Sequence, residues 1–390
     1  MDRIRQSSRL LGKNTRLLNP MSTGGANYTS HLFLATISEG KRELKIFAKV
    51  AAIGEKMRSQ LPIKMYETER FFYTKLAKIY RELEDKNNVP IEHRVTVPEF
   101  YGCCERVYEE TIVLEDLAAK GYQMYDRFKS VDWNYAATSI TELAKYHALS
   151  VAYQVYNPEE SEKVFADLKV ELPDNEEEMK VFWDSVWQRT LEATREENKD
   201  RLKKFFEKGF FEGKAFMKFL EPVTLAVIGH GDYRPSNLMH RLGKVRNLIE
   251  YFKSYLLMIA VDYQTLRGSC PVVDLLYFIF TGTDSQFRAQ HYQRLVDHYY
   301  EQLRAALARL GLNPDEKYSR ADFDFELKEK LPFGLTVAVF TLPVITVEAE
   351  NAPKVDESLQ ISDFSIQKTS SLFPERLNGV VDDFVRWGVI

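Results

Sequence analysis

Apolar positions in the first hundred or so residues recur mainly with period two. A glycine-bearing turn, Gly24-Gly25-Ala26-Asn27-Tyr28, leads into the β-rich run from His31 to Ile37. Past a second turn at Glu39-Gly40, the run from Leu44 to Val50 alternates apolar and basic residues, as a strand with one buried face does. These two runs predict a hairpin. From about Ile63 to Leu83 the period changes: Phe72, Leu76, Ile79 and Leu83 recur at three- and four-residue spacing among charged residues, the pattern of an amphipathic helix. The polar patch from Asp85 to Asn88, followed by Pro90, ends it. Val97 to Gly102 and Thr111 to Glu115 predict two more strands, so the order is strand, strand, helix, strand, strand. Beyond Asp116 the segments Tyr135 to Tyr153, Glu176 to Glu207, Phe287 to Leu310 and the run from Leu331 all have helical length. The pattern predicts an α+β chain: a small antiparallel-sheet lobe with one helix, residues 1–115, then a large, mainly helical lobe, residues 116–390.

Composition narrows the class. The chain has 390 residues, 45% of them hydrophobic and 13% aromatic, enough for true cores and against disorder as the main state. Its 53 basic and 57 acidic side chains leave a formal charge of −4, without the basic excess or stripe that binding to nucleic-acid phosphates calls for. Cys103, Cys104 and Cys270 form neither a disulfide framework nor a metal-binding spacing, which points to a reducing compartment, the cytoplasm. Arg3, Arg5, Arg9, Lys13 and Arg16 open the chain with no apolar stretch behind them; they read as a frayed basic leader, not a secretory signal. The longest uncharged run, Leu331 to Val347, is interrupted by Pro332, Gly334 and Pro343. It is short of the ~20 apolar residues that span a bilayer and reads as a buried helix, so no membrane partner is expected.

The densest polar cluster is Gly229-His230-Gly231-Asp232-Tyr233-Arg234-Pro235-Ser236-Asn237, which contains H-x-D-x-x-x-x-N. An apolar approach breaks into a glycine- and proline-bearing loop and recovers at Leu238-Met239, so polar groups are offered on a loop with buried flanks. Phosphoryl transfer needs this layout: a carboxylate beside the attacking hydroxyl, here Asp232, and an amide oxygen some residues on for Mg²⁺, here Asn237. Asp262, at the end of the apolar run Ile259 to Val261, supplies the carboxylate that magnesium prefers. Lys49 on the second strand is placed to reach ATP phosphates, with Glu69 in the following helix to hold it. Each piece alone has an ordinary structural reading as a turn, a cap or a solvated charge. Their order along the chain is what points to chemistry.

These residues resemble a known family. Glu69-Arg70-Phe71-Phe72-Tyr73, Val113 to Leu117 with Gly121-Tyr122, Leu143 to Ala148, His230-Gly231-Asp232 with Asn237, and Val261 to Gln264 with Asp274-Leu275 look like the insect ecdysteroid kinase-like (CHK kinase-like) proteins. Those are distant relatives of choline and aminoglycoside kinases. The resemblance implies a bilobal protein kinase-like fold and ATP-dependent phosphorylation of a hydroxyl on a small molecule, an ecdysteroid or a xenobiotic alcohol. It implies Asp232 as catalytic base, Asn237 and Asp262 as Mg²⁺ ligands, and Lys49 with Glu69 on the ATP phosphates. The glycine turn with Gly25, Asn27 and Tyr28 would cover the nucleotide, and Leu114, Glu115 and Leu117 would form the adenine-contacting hinge. His147 and Asp274 belong to the pattern with structural roles.

Three departures stand out. Arg234 occupies a position where these proteins usually carry Trp; it either neutralises the moving phosphoryl group or faces solvent. Asp262 is followed by Tyr263-Gln264, with no second acid. The stretch from Gly243 to Met258 lengthens the path between Asn237 and Asp262 and reads as an insertion without a fold role, as a retained intron would produce. A protein kinase is disfavoured, because no D-F-G or A-P-E segment occurs and Pro271 and Asp274 follow Asp262 closely. A catalytically weak protein that keeps the fold and binds a nucleotide or steroid is the alternative.

Overall fold

The computed structural model describes residues 15–21, 27–39, 41–60, 64–169, 176–207, 213–246, 252–366 and 368–390. Five antiparallel strands form the N-terminal sheet: β1 Thr15–Met21, β2 Ser30–Glu39, β3 Arg42–Ala51, β4 Phe100–Cys104 and β5 Thr111–Glu115, in the order β1-β2-β3-β5-β4. The predicted hairpin is β2–β3, paired from Ser30↔Ala51 to Glu39↔Arg42. β1 is a correction to the reading of a frayed leader: Thr15–Met21 pairs along β2, and only residues 1–14 of that segment lie outside the described residues. The predicted helix runs from Met65 to Lys86 with a π turn at Phe72–Leu76. It lays Phe72, Leu76, Tyr80 and Leu83 into the main core, beside Ile112 and Leu114 of β5.

The rest of the chain is a helical body around Trp133–Tyr156, Pro271–Gly282, Ser285–Arg309 and Arg320–Ile345. The last of these contains Pro332 and Pro343 and is buried along most of its second half, as the uncharged run predicts. The expected helix from Glu176 to Glu207 is instead two, Glu176–Ala193 and Glu196–Phe205. Asn378 holds the break, accepting from the Arg195 N–H at 2.9 Å and donating to the Ala193 carbonyl at 2.8 Å. Among the described residues no helix is long and apolar enough to cross a membrane.

Short strands line the top of this body. β6 Gln123–Met124, β8 Leu238–Arg246 and β9 Phe252–Ala260 form one small sheet, and β7 Val227–Gly229 pairs with β10 Arg267–Ser269. Of the stretch 243–258, read as an insertion, residues 247–251 lie outside the described residues, and the others continue the β8–β9 pair. The two strands pair without a break from Leu238↔Ala260 to Arg246↔Phe252, and Met258 of β9 is buried in the core.

After Ile345 the chain leaves the helical body, touches the N-terminal sheet and returns as the helix Leu372–Arg386. Leu359 of this strap is buried with Ala51, Ile53, Met57, Met65 and Tyr66. The Ile361 N–H donates to Gln60 Oε1 at 2.9 Å. Gly54 is required at the contact, since a Cβ there would come within 2.3 Å of the Glu357 carbonyl oxygen.

Candidate active site

Four separate segments converge where the sheet meets the helical body. The first is the 230–237 loop. Gly231 turns it with a φ of +82°, and a Cβ at that position would lie 2.1 Å from the Thr265 carbonyl oxygen, so only glycine fits. Asp274, from the helix Pro271–Gly282, fixes the loop from below: its carboxylate accepts from the His230 N–H at 2.6 Å, the Gly231 N–H at 2.9 Å and His147 Nε2 at 3.1 Å. Burial would raise its pKa, but the hydrogen bond and charge of His147, and then His230, outweigh that and hold it below the usual aspartate value. His147 is itself buried on Trp133–Tyr156, with Nδ1 2.7 Å from Tyr299 Oη. Both residues thus support the loop.

Asp232 is partly exposed at the loop's centre, and both its oxygens are engaged. Arg234 Nε donates to Oδ1 at 2.9 Å and to Oδ2 at 3.1 Å, and Asn237 Nδ2 donates to Oδ2 at 2.8 Å. Arg234 is buried and does not face solvent; its Nη1 also bonds Ser236 Oγ. Burial alone would weaken its charge, but Asp232 and then Tyr277 more than restore it.

The second segment ends β9. Asp262 adopts a left-handed conformation, φ 71° and ψ 61°, which Asp tolerates better than most side chains. That turn carries its carboxylate to the third segment, β3, where Lys49 Nζ sits 2.5 Å from Asp262 Oδ1. The fourth is the helix from Met65, which brings Glu69 Oε2 to 2.8 Å from the same ammonium. Lys49 and Glu69 are nearly inaccessible, at 8% and 2% exposure. Burial favours a neutral lysine, but Asp262 and Glu69 together overcome it and raise the Lys49 pKa. Asp262 is in turn held below its usual value, burial being outweighed by the Lys49 charge and hydrogen bond.

The predicted hinge follows β5. Leu114 points into the main core, Glu115 accepts from the Glu99 N–H at 2.9 Å and pairs with Lys120, and Leu117 is buried with Tyr122 and Ile259. Met239, Leu257 and Val261 pack on that cluster, forming an apolar floor between hinge and loop. Of the glycine turn, Gly25 lies outside the described residues. Asn27 Nδ2 bonds the Ser30 carbonyl. Tyr28 lies between the end of the helix Arg320–Ile345 and the strap: its hydroxyl donates to the Val344 carbonyl at 3.1 Å and its ring meets Phe364 edge-on at 5.4 Å.

A model of the ecdysteroid kinase-like family matches residues 24–312. The chain belongs to that family. No curated protein matches it. Among solved structures, an aminoglycoside-3'-phosphotransferase of type VIII aligns over 87% of this chain and 99% of its own, at 14% identity and a TM-score of 0.33. A Streptomyces rimosus aminoglycoside phosphotransferase, in complex with ADP and streptomycin, aligns over 86% and 99%, at 13% identity and a TM-score of 0.32. Membership in the ecdysteroid kinase-like family makes the chain a kinase-like protein directed at small molecules.

Three residues beside the site carry no signal that spacing alone would pick out. Gln264 accepts from Thr29 Oγ1 at 3.0 Å and lies 3.4 Å from Lys49 Nζ. Tyr277, one turn past Asp274 on the same helix face, brings its phenol beside Asp232 and Arg234. Arg267, at the start of β10, donates to the Gly231 carbonyl at 3.0 Å.

Proposed function

We propose that this protein transfers the terminal phosphoryl group of ATP to a hydroxyl of a small molecule, an ecdysteroid or a related apolar or xenobiotic alcohol, in the cytoplasm. Residues 1–115 form the nucleotide lobe in this reading, and residues 116–390 the catalytic and substrate lobe. The observation that carries it is the joining of Lys49, Glu69 and Asp262 in one buried ion cluster beside the Asp232–Asn237 loop. A merely structural lysine has no need of two carboxylates from different parts of the chain.

The donor set fits Mg²⁺. Asn237 spends its Nδ2 on Asp232, at the carbonyl and at Oδ2, which leaves Oδ1 without a donor among the described residues. Among the described residues Asp262 spends only Oδ1, on Lys49. One carboxylate and one amide oxygen are hard ligands of the kind magnesium takes alongside phosphates and water. When bound, Mg-ATP supplies the phosphoryl group and the positive charge that balances it. Lys49, held by Glu69, orients phosphate oxygens; Asp232 aligns the acceptor hydroxyl and takes its proton; Arg234 offsets charge beside Asp232. The Leu117–Ile259 floor receives the adenine, and the turn through Gly25, Asn27 and Tyr28 covers the phosphates.

A second reading, a catalytically weak nucleotide- or steroid-binding protein, draws support from Asp232, whose oxygens are both occupied by Arg234 and Asn237. Purified protein with Mg-ATP and a panel of ecdysteroids and other alcohols separates the two, with mass spectrometry reading the gain of one phosphate. Asp232→Asn is expected to lower turnover by about 10³-fold or more with ATP affinity retained. Unchanged turnover in that variant would remove Asp232 from its role, and no turnover of any alcohol with intact ATP binding would favour the second reading.

A further inference from the structure

Among the described residues Arg267 is a cation with no carboxylate in direct contact, although Asp274 and Asp232 act on it from farther off. Its backbone pairs with Gly229 across the β7–β10 ladder, and its side chain reaches over the loop to bond the Gly231 carbonyl through Nη2 at 3.0 Å. Its Nε is buried and has no hydrogen-bond partner, and among the described residues Arg267 forms no ion pair. Lys49 and Arg234 differ, each being neutralised by carboxylates in contact. An unpaired, partly buried guanidinium with an idle N–H is costly to keep, and its planar fork is shaped for an oxyanion.

The neighbours of Arg267 say which ligand brings that oxyanion. The charged and phenolic groups acting on it are Asp274, Tyr277 and Asp232. Arg267 bonds the Gly231 carbonyl, one residue before Asp232, so in the kinase reading it stands at the loop that presents the base to the acceptor. Tyr277 closes this corner, its hydroxyl 3.4 Å from Thr341 Oγ1 and hydrogen-bonded to the Asp232 carboxylate.

We propose that Arg267, flanked by Tyr277, binds an oxyanion carried by the acceptor itself, so that the preferred substrate is an acidic alcohol: one bearing a carboxylate, a sulfate ester or a phosphate ester within reach of the hydroxyl. This rests on the kinase reading above for the identity of the site and narrows its acceptor from an apolar alcohol to one that also carries an acidic group.

The test uses the full chain saturated with Mg-ADP and four probes of one skeleton: 4-(hydroxymethyl)benzoate, its methyl ester, 4-(hydroxymethyl)phenyl sulfate and 4-(hydroxymethyl)phenyl phosphate. Affinity is read by calorimetry at constant ionic strength. The acids are expected to bind about tenfold or more tighter than the ester, and their rank identifies the oxyanion. Arg267→Gln, which keeps a donor for the Gly231 carbonyl, should erase the preference, and Arg267→Lys should restore part of it. Equal or absent binding of acids and ester, or an acid affinity unmoved in Arg267→Gln, would overturn the proposal. The same probes with Mg-ATP keep the two readings apart: Arg267-dependent binding without phosphate gain would count against the kinase reading alone, and turnover without acid preference against the acidic-acceptor proposal alone.

Discussion

On the Lys49 side of Asp232 one cation touches two carboxylates; on the Arg267 side one cation touches none among the described residues, with Asp274 and Asp232 acting on it from beyond contact. The two sides meet their ligands differently in consequence. A nucleotide arriving with its own metal exchanges partners, since phosphate oxygens must take over a lysine that Asp262 already holds at 2.5 Å. An acidic acceptor arriving at Arg267 displaces no carboxylate from direct contact. Pre-built balance suits a ligand that is the same in every turnover, while an open charge selects among ligands that vary.

The largest way to disturb this contrast is Asp262→Asn, which tolerates the left-handed backbone but removes the charge. Turnover is expected to fall on the order of 10³-fold, with acid-alcohol affinity at Arg267 kept; a parallel loss of both in calorimetry would mean that the two sides are not separate. A smaller effect is expected from Glu69→Gln, which leaves Lys49 one carboxylate. The KM for ATP should rise about tenfold while the KM for the acceptor stays put, and initial-rate kinetics varying each substrate will show whether it does. The smallest concerns Asp274, the first charged neighbour of Arg267 and the pin of the loop. Its native pKa is depressed, so its stabilisation is complete above the ordinary aspartate value of about 4 and is lost as pH falls through the lower native one. The gap in thermal midpoint between the native protein and Asp274→Asn should be widest near neutrality and narrow in acid. A gap independent of pH would show that Asp274 acts by shape alone.

Much of the Lys49 side is legible along the chain because its parts sit on regular elements. Alternation sets Lys49 on β3, three- and four-residue spacing sets Glu69 on the helix that packs behind it, and a glycine-bearing loop between apolar flanks sets Asp232 and Asn237. The Arg267 side is not legible in this way. An arginine five residues after Asp262 looks the same whether paired or not, and the lack of a partner arises only when β10 closes on β7. β1 escapes notice because Thr15–Met21 places two leucines side by side and ends near Pro20, without clean alternation. Residues 243–258 look superfluous from their effect on motif spacing, yet those of them that are described continue the β8–β9 pairing that begins beside Asp262 at Leu238↔Ala260. The strap is equally hidden, since single anchors such as Leu359 and Ile361 in a polar stretch have no period.

That strap has a mechanical consequence. The sheet is tied to the helical body by the connection Glu115–Leu117 and by the helix Met65–Lys86, whose Phe72 stacks on Tyr263 with ring centroids 3.4 Å apart. Glu357 to Phe364 add a further tie, gripping Gly54, Gln60 and Tyr28. Each tie removes a direction in which sheet and helices can move apart, so the strap stiffens the cleft in which Lys49 meets Asp262.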